Sequence, residues 1–377
     1  MRHVCYVSGT RADFGLMRRT LEAVHAAGDL RLSIVATGMH LDDRYGRTVR
    51  DIEAAGLPVA ATIPIDGTGE PTGGVMARDI SRMLAGMVGA FERLRPDLVL
   101  LLGDRGEMLA GAIAALHLNI PITHVHGGER SGTIDESVRH AISKLSHFHF
   151  VATEQSRERL IRMGEVSAQV FVTGAPGLDG IVQDANVPRA DLLAAQRFDP
   201  SRPVAVFVFH PVVQEVAEGG AVASMLLERL LQEGFQVLAL RPNSDAGSAE
   251  VRASLDRVAG HADLRVITHL ERSEFLSWLA AAEVIVGNSS SGIIEAASFG
   301  LPAVNVGSRQ NLRERNANVF DVESKPESVD AMLALVLRQG RMPRQNVYGD
   351  GQAAQRIVAL LRTVPLDSSI LAKANAY

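Results

Sequence analysis

Residues 103–140 read GDRGEMLAGAIAALHLNIPITHVHGGERSGTIDESVRH, and their order decides the fold class. They spell strand end, loop, helix, strand, glycine turn, helix. The run before them, Asp97 to Leu102, is apolar up to Leu102, as expected of a parallel strand covered on both faces. A second strand, Pro121 to Val125, runs into His126-Gly127-Gly128-Glu129. Open α/β sheets bind ligands outside the carboxyl ends of their strands. Asp104, Glu129 and the adjacent Asp135 and Glu136 all fall at or just past such ends, so several carboxylates share one crevice. That pattern suits proton-transfer chemistry. Singly, each acid has a plainer reading: Asp104 as a helix cap, Glu129 as a solvated loop acid. Glu136 completes a capping box that starts at Thr133. Asp135 with Arg139, and Glu136 with His140, stand at helical i,i+4 spacing.

The same grammar extends toward the N-terminus. Val4 to Val7 forms an apolar strand that stops at Ser8-Gly9-Thr10-Arg11-Ala12-Asp13, followed by a helix. A strand-to-helix glycine turn offers backbone N–H groups to an anion, and Arg11 adds a cation suited to phosphate. It is neither a Walker A loop nor a G-x-G-x-x-G fingerprint, and a tight turn with a surface arginine also fits. Leu32 to Ala36 is a second strand ending at Thr37-Gly38-Met39-His40, and Val59 to Ile65 a third. Asp66 to Gly74 (DGTGEPTGG) is expected to be a mobile loop, with a helix over Val75 to Leu94.

Toward the C-terminus, Phe148 to Ala152 and Val170 to Val172 add strands. Residues 184–203, polar and flanked by prolines, read as a linker. The alternation then restarts. Val204 to Phe209 ends at His210, Phe235 to Leu240 at Arg241-Pro242-Asn243-Ser244, and Leu264 to Ile267 at Thr268-His269. Val284 to Val286 ends at Gly287-Asn288-Ser289-Ser290-Ser291-Gly292, opening a helix that carries Glu295. Ala303 to Val306 ends at Gly307-Ser308-Arg309. The chain therefore reads as α/β, with two doubly wound Rossmann-like αβα domains facing across a cleft. The expected division is 1–183 (sugar and acid–base side), a linker over 184–203, 204–350 (nucleotide side), and 351–377 packing back on the first domain.

Composition narrows the functions. The 377 residues are 46% hydrophobic with a net charge of -5, which argues against nucleic acid as a partner. No apolar run reaches membrane-spanning length, and no signal-peptide pattern precedes the first strand, so a cytoplasmic protein is expected. The single cysteine, Cys5, excludes an internal disulfide. Histidines are dense between His117 and His149, but neither H-E-x-x-H nor a cysteine-based zinc pattern is present, so no metal is expected. Small residues in GNSSSGIIEA suit close backbone approach to a diphosphate, with Glu295 within reach of ribose hydroxyls.

The motifs GTRADFG, GDRGEMLA, HVHGGERSGTIDESVRHAISKLSH, the strand-end FHP and GNSSSGIIEAASFGLPAVNVGSRQ, taken in order over nearly the whole chain, resemble the hydrolysing UDP-N-acetylglucosamine 2-epimerases of sialic and legionaminic acid synthesis. The resemblance implies a GT-B-like fold, a UDP-sugar substrate, no cofactor and a homodimer. It implies elimination of UDP across C1–C2 to a glycal, then hydration to the free 2-epimer. The main expectation is UDP-N-acetylglucosamine giving N-acetylmannosamine. The alternative is the same chemistry on UDP-2,4-diacetamido-2,4,6-trideoxyglucose (UDP-diacetylbacillosamine), toward which the length of the GERSGTIDE segment leans.

Carried over by position, Asp104, Glu129, Asp135 and Glu136 are the acid–base candidates, with His210 beside them. Arg11, Asp13, His40, Arg241, Asn243, Ser289, Ser290, Ser291, Gly292, Glu295, Arg309 and Arg313 are the UDP-sugar contacts. One departure stands out: non-hydrolysing relatives carry a glutamate where this chain has His126. A non-hydrolysing epimerase, a GT-B glycosyltransferase and a nucleotide-sugar sensor are the competing functions.

Overall fold

The computed structural model describes residues 1–66, 72–131, 134–212, 216–242, 247–268 and 270–376. Thr133 of the expected capping box, residues 67–71 of the glycine-rich loop, Asn243 and His269 lie outside them.

Seven parallel strands form the first sheet: β1 (Arg2–Ser8), β2 (Leu30–Thr37), β3 (Val59–Ile63), β4 (Leu98–Leu102), β5 (Ile122–Val125), β6 (Phe148–Val151) and β7 (Val170–Val172), in the order β3-β2-β1-β4-β5-β6-β7. Six parallel strands form the second: β8 (Val204–Val208), β9 (Gln236–Leu240), β10 (Leu264–Ile267), β11 (Val284–Gly287), β12 (Ala303–Val306) and β13 (Val319–Val322), in the order β10-β9-β8-β11-β12-β13. Both are doubly wound, so the expected two-domain α/β fold is borne out. Each sheet reverses its strand order beside its first strand, between β1 and β4 and between β8 and β11. Crevices open at those switch points.

Side-chain alternation explains why the central strands read as unbroken apolar runs. Val4 and Tyr6 of β1, with Leu98, Leu100 and Leu102 of β4, pack on one face against the helix Arg11–Ala26. Cys5, Val7, Val99 and Leu101 pack on the other against the helices Gly73–Leu94 and Gly106–His117. In β8, Val204, Val206 and Val208 face one core, and Ala205 and Phe207 the other. Period-two alternation with both faces covered requires apolar residues at every position.

Three details differ from the sequence reading. Residues 184–203 are not an irregular connection: they carry the helix Arg189–Gln196, whose Leu192 and Leu193 are buried with Phe198 in the second unit's core. Only two apolar residues anchor it, too few for a visible period. The strand β13 was not anticipated, because it is half-exposed and interrupted by Asp321, which pairs with Arg315 and accepts from Asn305 Nδ2. The helix expected to carry Glu295 is short, Ser290–Ile293, and gives way to a 3-10 turn, Ala296–Phe299, leaving Glu295 at the junction.

The C-terminal helix Ala353–Thr363 packs Ala353, Ile357, Val358 and Leu361 into the first unit's core. It is capped from outside its own segment: the Asp179 carboxylate accepts from Ala353 N at 2.9 Å and Ala354 N at 2.5 Å. Where the chain crosses back, Ala175 N donates to Tyr348 O at 2.8 Å. There Gly349 lies so close to Gly174 that a Cβ on it would stand 3.1 Å from Gly174 Cα.

Candidate active site between the two domains

The β1 turn is self-contained. Asp13 accepts from Gly9 N, Thr10 N, Thr10 Oγ1, Ser8 Oγ and Tyr6 OH, and Asp13 N donates to Thr10 Oγ1 in a capping box. Its carboxylate is thus committed to shaping the turn rather than free for a ligand, contrary to expectation. His40 is likewise internal. It is fully buried, with Nε2 2.9 Å from Ser8 Oγ and Nδ1 2.9 Å from Thr48 Oγ1. Ser8 gives its proton to an acceptor-only carboxylate, so His40 Nε2 must donate to Ser8. Burial lowers the His40 pKa against the pull of Asp13, keeping it a neutral bridge rather than a ligand contact. A Cβ on Gly9 would stand 2.2 Å from Glu107 Oε1, so a larger residue there would displace the buried Glu107 side chain. Arg11 differs from its neighbours. It is half-buried, burial lowers its pKa, and Glu271 and Asp51 raise it, yet it makes no hydrogen bond or ion pair with a described residue. A cation so placed is suited to an anionic ligand.

The acids past β4 and β5 are brought together, and each is met by a cation. Asp104 forms an ion pair with Arg139, whose side chain is almost wholly buried. Arg139 Nη1 also donates to Glu129 O at 3.2 Å. Glu129 Oε1 meets His126 Nδ1 and Oε2 meets Arg313 Nη1. Burial pushes the Glu129 carboxyl up, but the charges of Arg313 and His126 and their hydrogen bonds outweigh it and hold it at about 2. Asp135 is more open, 37% exposed, with Arg309 Nη2 at 3.9 Å. Glu136 Oε2 accepts from Ser131 N at 2.9 Å, and Oε1 lies 3.6 Å from His140 Nε2. Glu136 thus holds a backbone N–H ahead of its helix, at Ser131; the expected partner Thr133 lies outside the described residues.

Arg309, Arg313 and Glu314 come from the second domain. Glu314 accepts from Thr153 Oγ1, past the end of β6, so the cleft is bridged at three acids: Glu129, Asp135 and Glu314.

On the second domain Asn288 is the hub. Its Oδ1 accepts from His210 N at 2.7 Å and its Nδ2 donates to His210 O at 2.8 Å, joining the ends of β8 and β11. Asn288 O accepts from Arg309 Nη1 and Gln310 Nε2. Gly287 has φ +138, and a Cβ there would stand 2.1 Å from Val208 O, so only glycine allows the two backbones to meet. Ser289 Oγ accepts from Ser291 N at 3.3 Å. The Ser290 and Ser291 hydroxyls, beside buried Gly292, make no hydrogen bond with a described residue. Glu295 is buried and accepts from Arg272 Nη1 at 3.0 Å, while Arg272 Nη2 donates to Gly177 O. Arg241 turns to Asp256 at 2.5 Å on the helix Ser248–Val258. A cavity of about 240 Å³ opens between the helices Arg11–Ala26 and Arg272–Ala281, bordered by Gly15, Pro176 and Ser273.

Sequence reasoning missed Arg139, Asn288 and Arg272 as site residues. Arg139 was visible only as a neighbour of Asp135 on one helix face, whereas it pairs with Asp104 past the end of the adjacent strand β4. The dense histidines are used one by one: His124 contacts Ser143 and Gly103 O, His147 accepts from Ile122 N, and His149 meets Glu165.

Known proteins share this architecture and sequence. The chain is 50% identical over 377 residues, all of both chains, to the UDP-N,N'-diacetylbacillosamine 2-epimerase (hydrolyzing) of Legionella pneumophila. It is 33% identical over 327 residues, 85% of this chain and 84% of the relative, to the GDP/UDP-N,N'-diacetylbacillosamine 2-epimerase (hydrolyzing) of Campylobacter jejuni. The crystal structure of the Neisseria meningitidis UDP-GlcNAc 2-epimerase bound to UDP-GlcNAc superposes with a TM-score of 0.81 at 19% identity, covering 96% of this chain and 100% of that one. That likeness speaks to the fold, which is GT-B-like as expected. A family model described as UDP-N-acetylglucosamine 2-epimerase matches residues 22–362. With the paired switch points and the acids between them, this places the chain in the UDP-N-acetylglucosamine 2-epimerase family.

Proposed function

We propose that this protein is a hydrolysing 2-epimerase acting on UDP-N,N'-diacetylbacillosamine, releasing UDP and the free 2-epimer. The observation that carries the substrate is the 50% identity over the full length to a relative of that name. It favours the alternative sugar over UDP-N-acetylglucosamine, the main expectation from sequence. The product would feed synthesis of a legionaminic-type sugar acid. The enzyme works in the cytoplasm as a homodimer; among the described residues no helix is long and apolar enough to cross a membrane.

The reaction needs one group to take the C2 proton as the C1–O bond breaks, and another to return a proton from the opposite face. Asp104 and Asp135 border the crevice in which these transfers occur, paired with Arg139 and Arg309. The leaving β-phosphate gains charge, so preorganised donors there lower the barrier. Arg11 and the hydroxyls of Ser290 and Ser291 supply them, and Glu295, steadied by Arg272, takes the ribose.

The test is a proton NMR time course in D2O with UDP-diacetylbacillosamine and UDP-N-acetylglucosamine in parallel. Free UDP and a manno-configured sugar carrying deuterium at C2, formed faster from the first substrate, support the reading. Faster turnover of UDP-N-acetylglucosamine overturns the substrate, and a sugar still attached to UDP overturns hydrolysis. No reaction in either tube turns attention to a transferase or a sensor.

A further inference from the structure

We infer that His126 is a catalytic residue, the base that takes the C2 proton through Nε2, and that Glu129 is its positioning residue rather than a proton carrier. The inference deepens the hydrolysing 2-epimerase reading and rests on it.

Three observations carry it. First, both Glu129 oxygens are engaged, one by His126 and one by Arg313 from the other domain, in a side chain only 4% exposed. A buried carboxylate with one oxygen paired to a guanidinium and the other accepting from an imidazole N–H is a poor proton acceptor. Second, His126 is 8% exposed, and its Nε2 is buried with no hydrogen-bond partner among the described residues. Buried polar atoms are rarely left so, and one next to an acid crevice calls for a function. Third, His126 sits at φ +63 just past β5, a left-handed backbone that a non-glycine residue adopts at a cost. His126 N donates to Phe150 O at 3.1 Å, and Gly103 N to Val125 O at 2.9 Å, so the turn is fastened to both neighbouring strands.

The tautomer follows from the partner. An ionised carboxylate only accepts, so Nδ1 carries the proton and the neutral ring presents its lone pair at Nε2. A histidine held by a carboxylate through Nδ1, with Nε2 left for the substrate, is the orientation logic of hydrolase triads. In the forward step the C2–H electron pair becomes the C1=C2 bond. The C1–O pair leaves on the β-phosphate of UDP, and the proton passes to Nε2. Glu129 stabilises the imidazolium so formed. Water then gives its hydroxyl to C1 while an acid on the opposite face gives its proton to C2; the proton from water restores that acid, and the imidazolium proton leaves to solvent with UDP. The charged and titratable groups around the ring are Glu129 on its own turn, His124 on β5, and Arg313 and Arg139 reaching Glu129 from the second domain and from the helix Ile134–Leu145.

The test compares wild type, His126→Asn and Glu129→Gln on UDP-diacetylbacillosamine. Asparagine tolerates the left-handed backbone, so the fold is kept, and UDP affinity by calorimetry checks that it is. The expected result is a kcat about 10²–10⁴ lower for His126→Asn, with UDP affinity within about threefold of wild type. Deuterium uptake at C2 falls in step with UDP release. Glu129→Gln loses less rate than His126→Asn, and its loss falls on kcat with KM within about threefold of wild type, since Glu129 orients the base and does not meet the substrate. A His126→Asn enzyme that keeps more than about a tenth of wild-type kcat overturns the inference alone. So does a Glu129→Gln enzyme that loses more than His126→Asn, or whose loss lies in KM rather than in kcat. A wild type that releases no UDP overturns the proposed function and this inference with it.

Discussion

The contact between Glu129 and Arg313 joins the domains across 184 positions of sequence, and Arg313→Met tests what it contributes. Methionine keeps much of the side chain's packing and removes its charge. Glu129 is held at about 2 against an ordinary 4.5. Holding the carboxyl that far below its ordinary range corresponds to about 3 kcal/mol of preference for the ionised form in the folded protein. This contribution is fully present above pH 4.5 and lost as the pH falls through 2. Arg313 is the largest of the attractions that offset burial of Glu129. Removing it leaves a carboxylate that is 4% exposed with His126 alone.

The expected destabilisation of Arg313→Met at neutral pH is about 3 kcal/mol, within the usual range for breaking a buried pair. Denaturant unfolding of wild type, Arg313→Met, Glu129→Gln and the double variant gives the coupling directly. It should be about 2–3 kcal/mol at pH 7 and shrink toward pH 3. A coupling below about 0.5 kcal/mol, the level of an exposed pair, would refute the reasoning.

Further outcomes are expected elsewhere. Asp104→Asn should abolish turnover, measured as UDP release, while calorimetry finds UDP binding nearly unchanged; retention of most of the activity would sink the assignment of this crevice. Asp179→Ala removes the acceptor for Ala353 N and Ala354 N and should cost about 1–2 kcal/mol, with faster proteolysis of the C-terminal helix. Gly287→Ala forces a Cβ to within 2.1 Å of Val208 O. It should destabilise the second domain by on the order of 2–4 kcal/mol and weaken UDP binding, read by thermal unfolding and calorimetry.

Much of this protein is written locally. Buried parallel strands need apolar residues at successive positions, so twelve of the strands were visible as short runs ending in glycine or polar turns. Alternation with helices then led to two doubly wound domains. The missed strand, Val319–Val322, is a half-exposed edge with Asp321 in it, and an edge lacks the second apolar face that makes inner strands legible. Leu192 and Leu193 are buried, but two leucines among polar neighbours set no period, so the helix in 184–203 read as a connection.

The site divides the same way. The sequence by itself determined which residues stand at the strand ends: Arg11, Asp104, His126, Glu129, Asp135 and the serines after β11. That is because strand ends are set by short-range pattern. Only the tertiary structure decided what each of them does there. Asp13 and His40 are absorbed by their own turn, Glu295 is paired with Arg272, and Arg139 reaches Asp104 past the neighbouring strand. Glu129 is clamped from the opposite domain. Ionic and hydrogen-bonding partners act over a few ångströms in space at any separation in sequence, and that proximity exists only once both domains have folded and met.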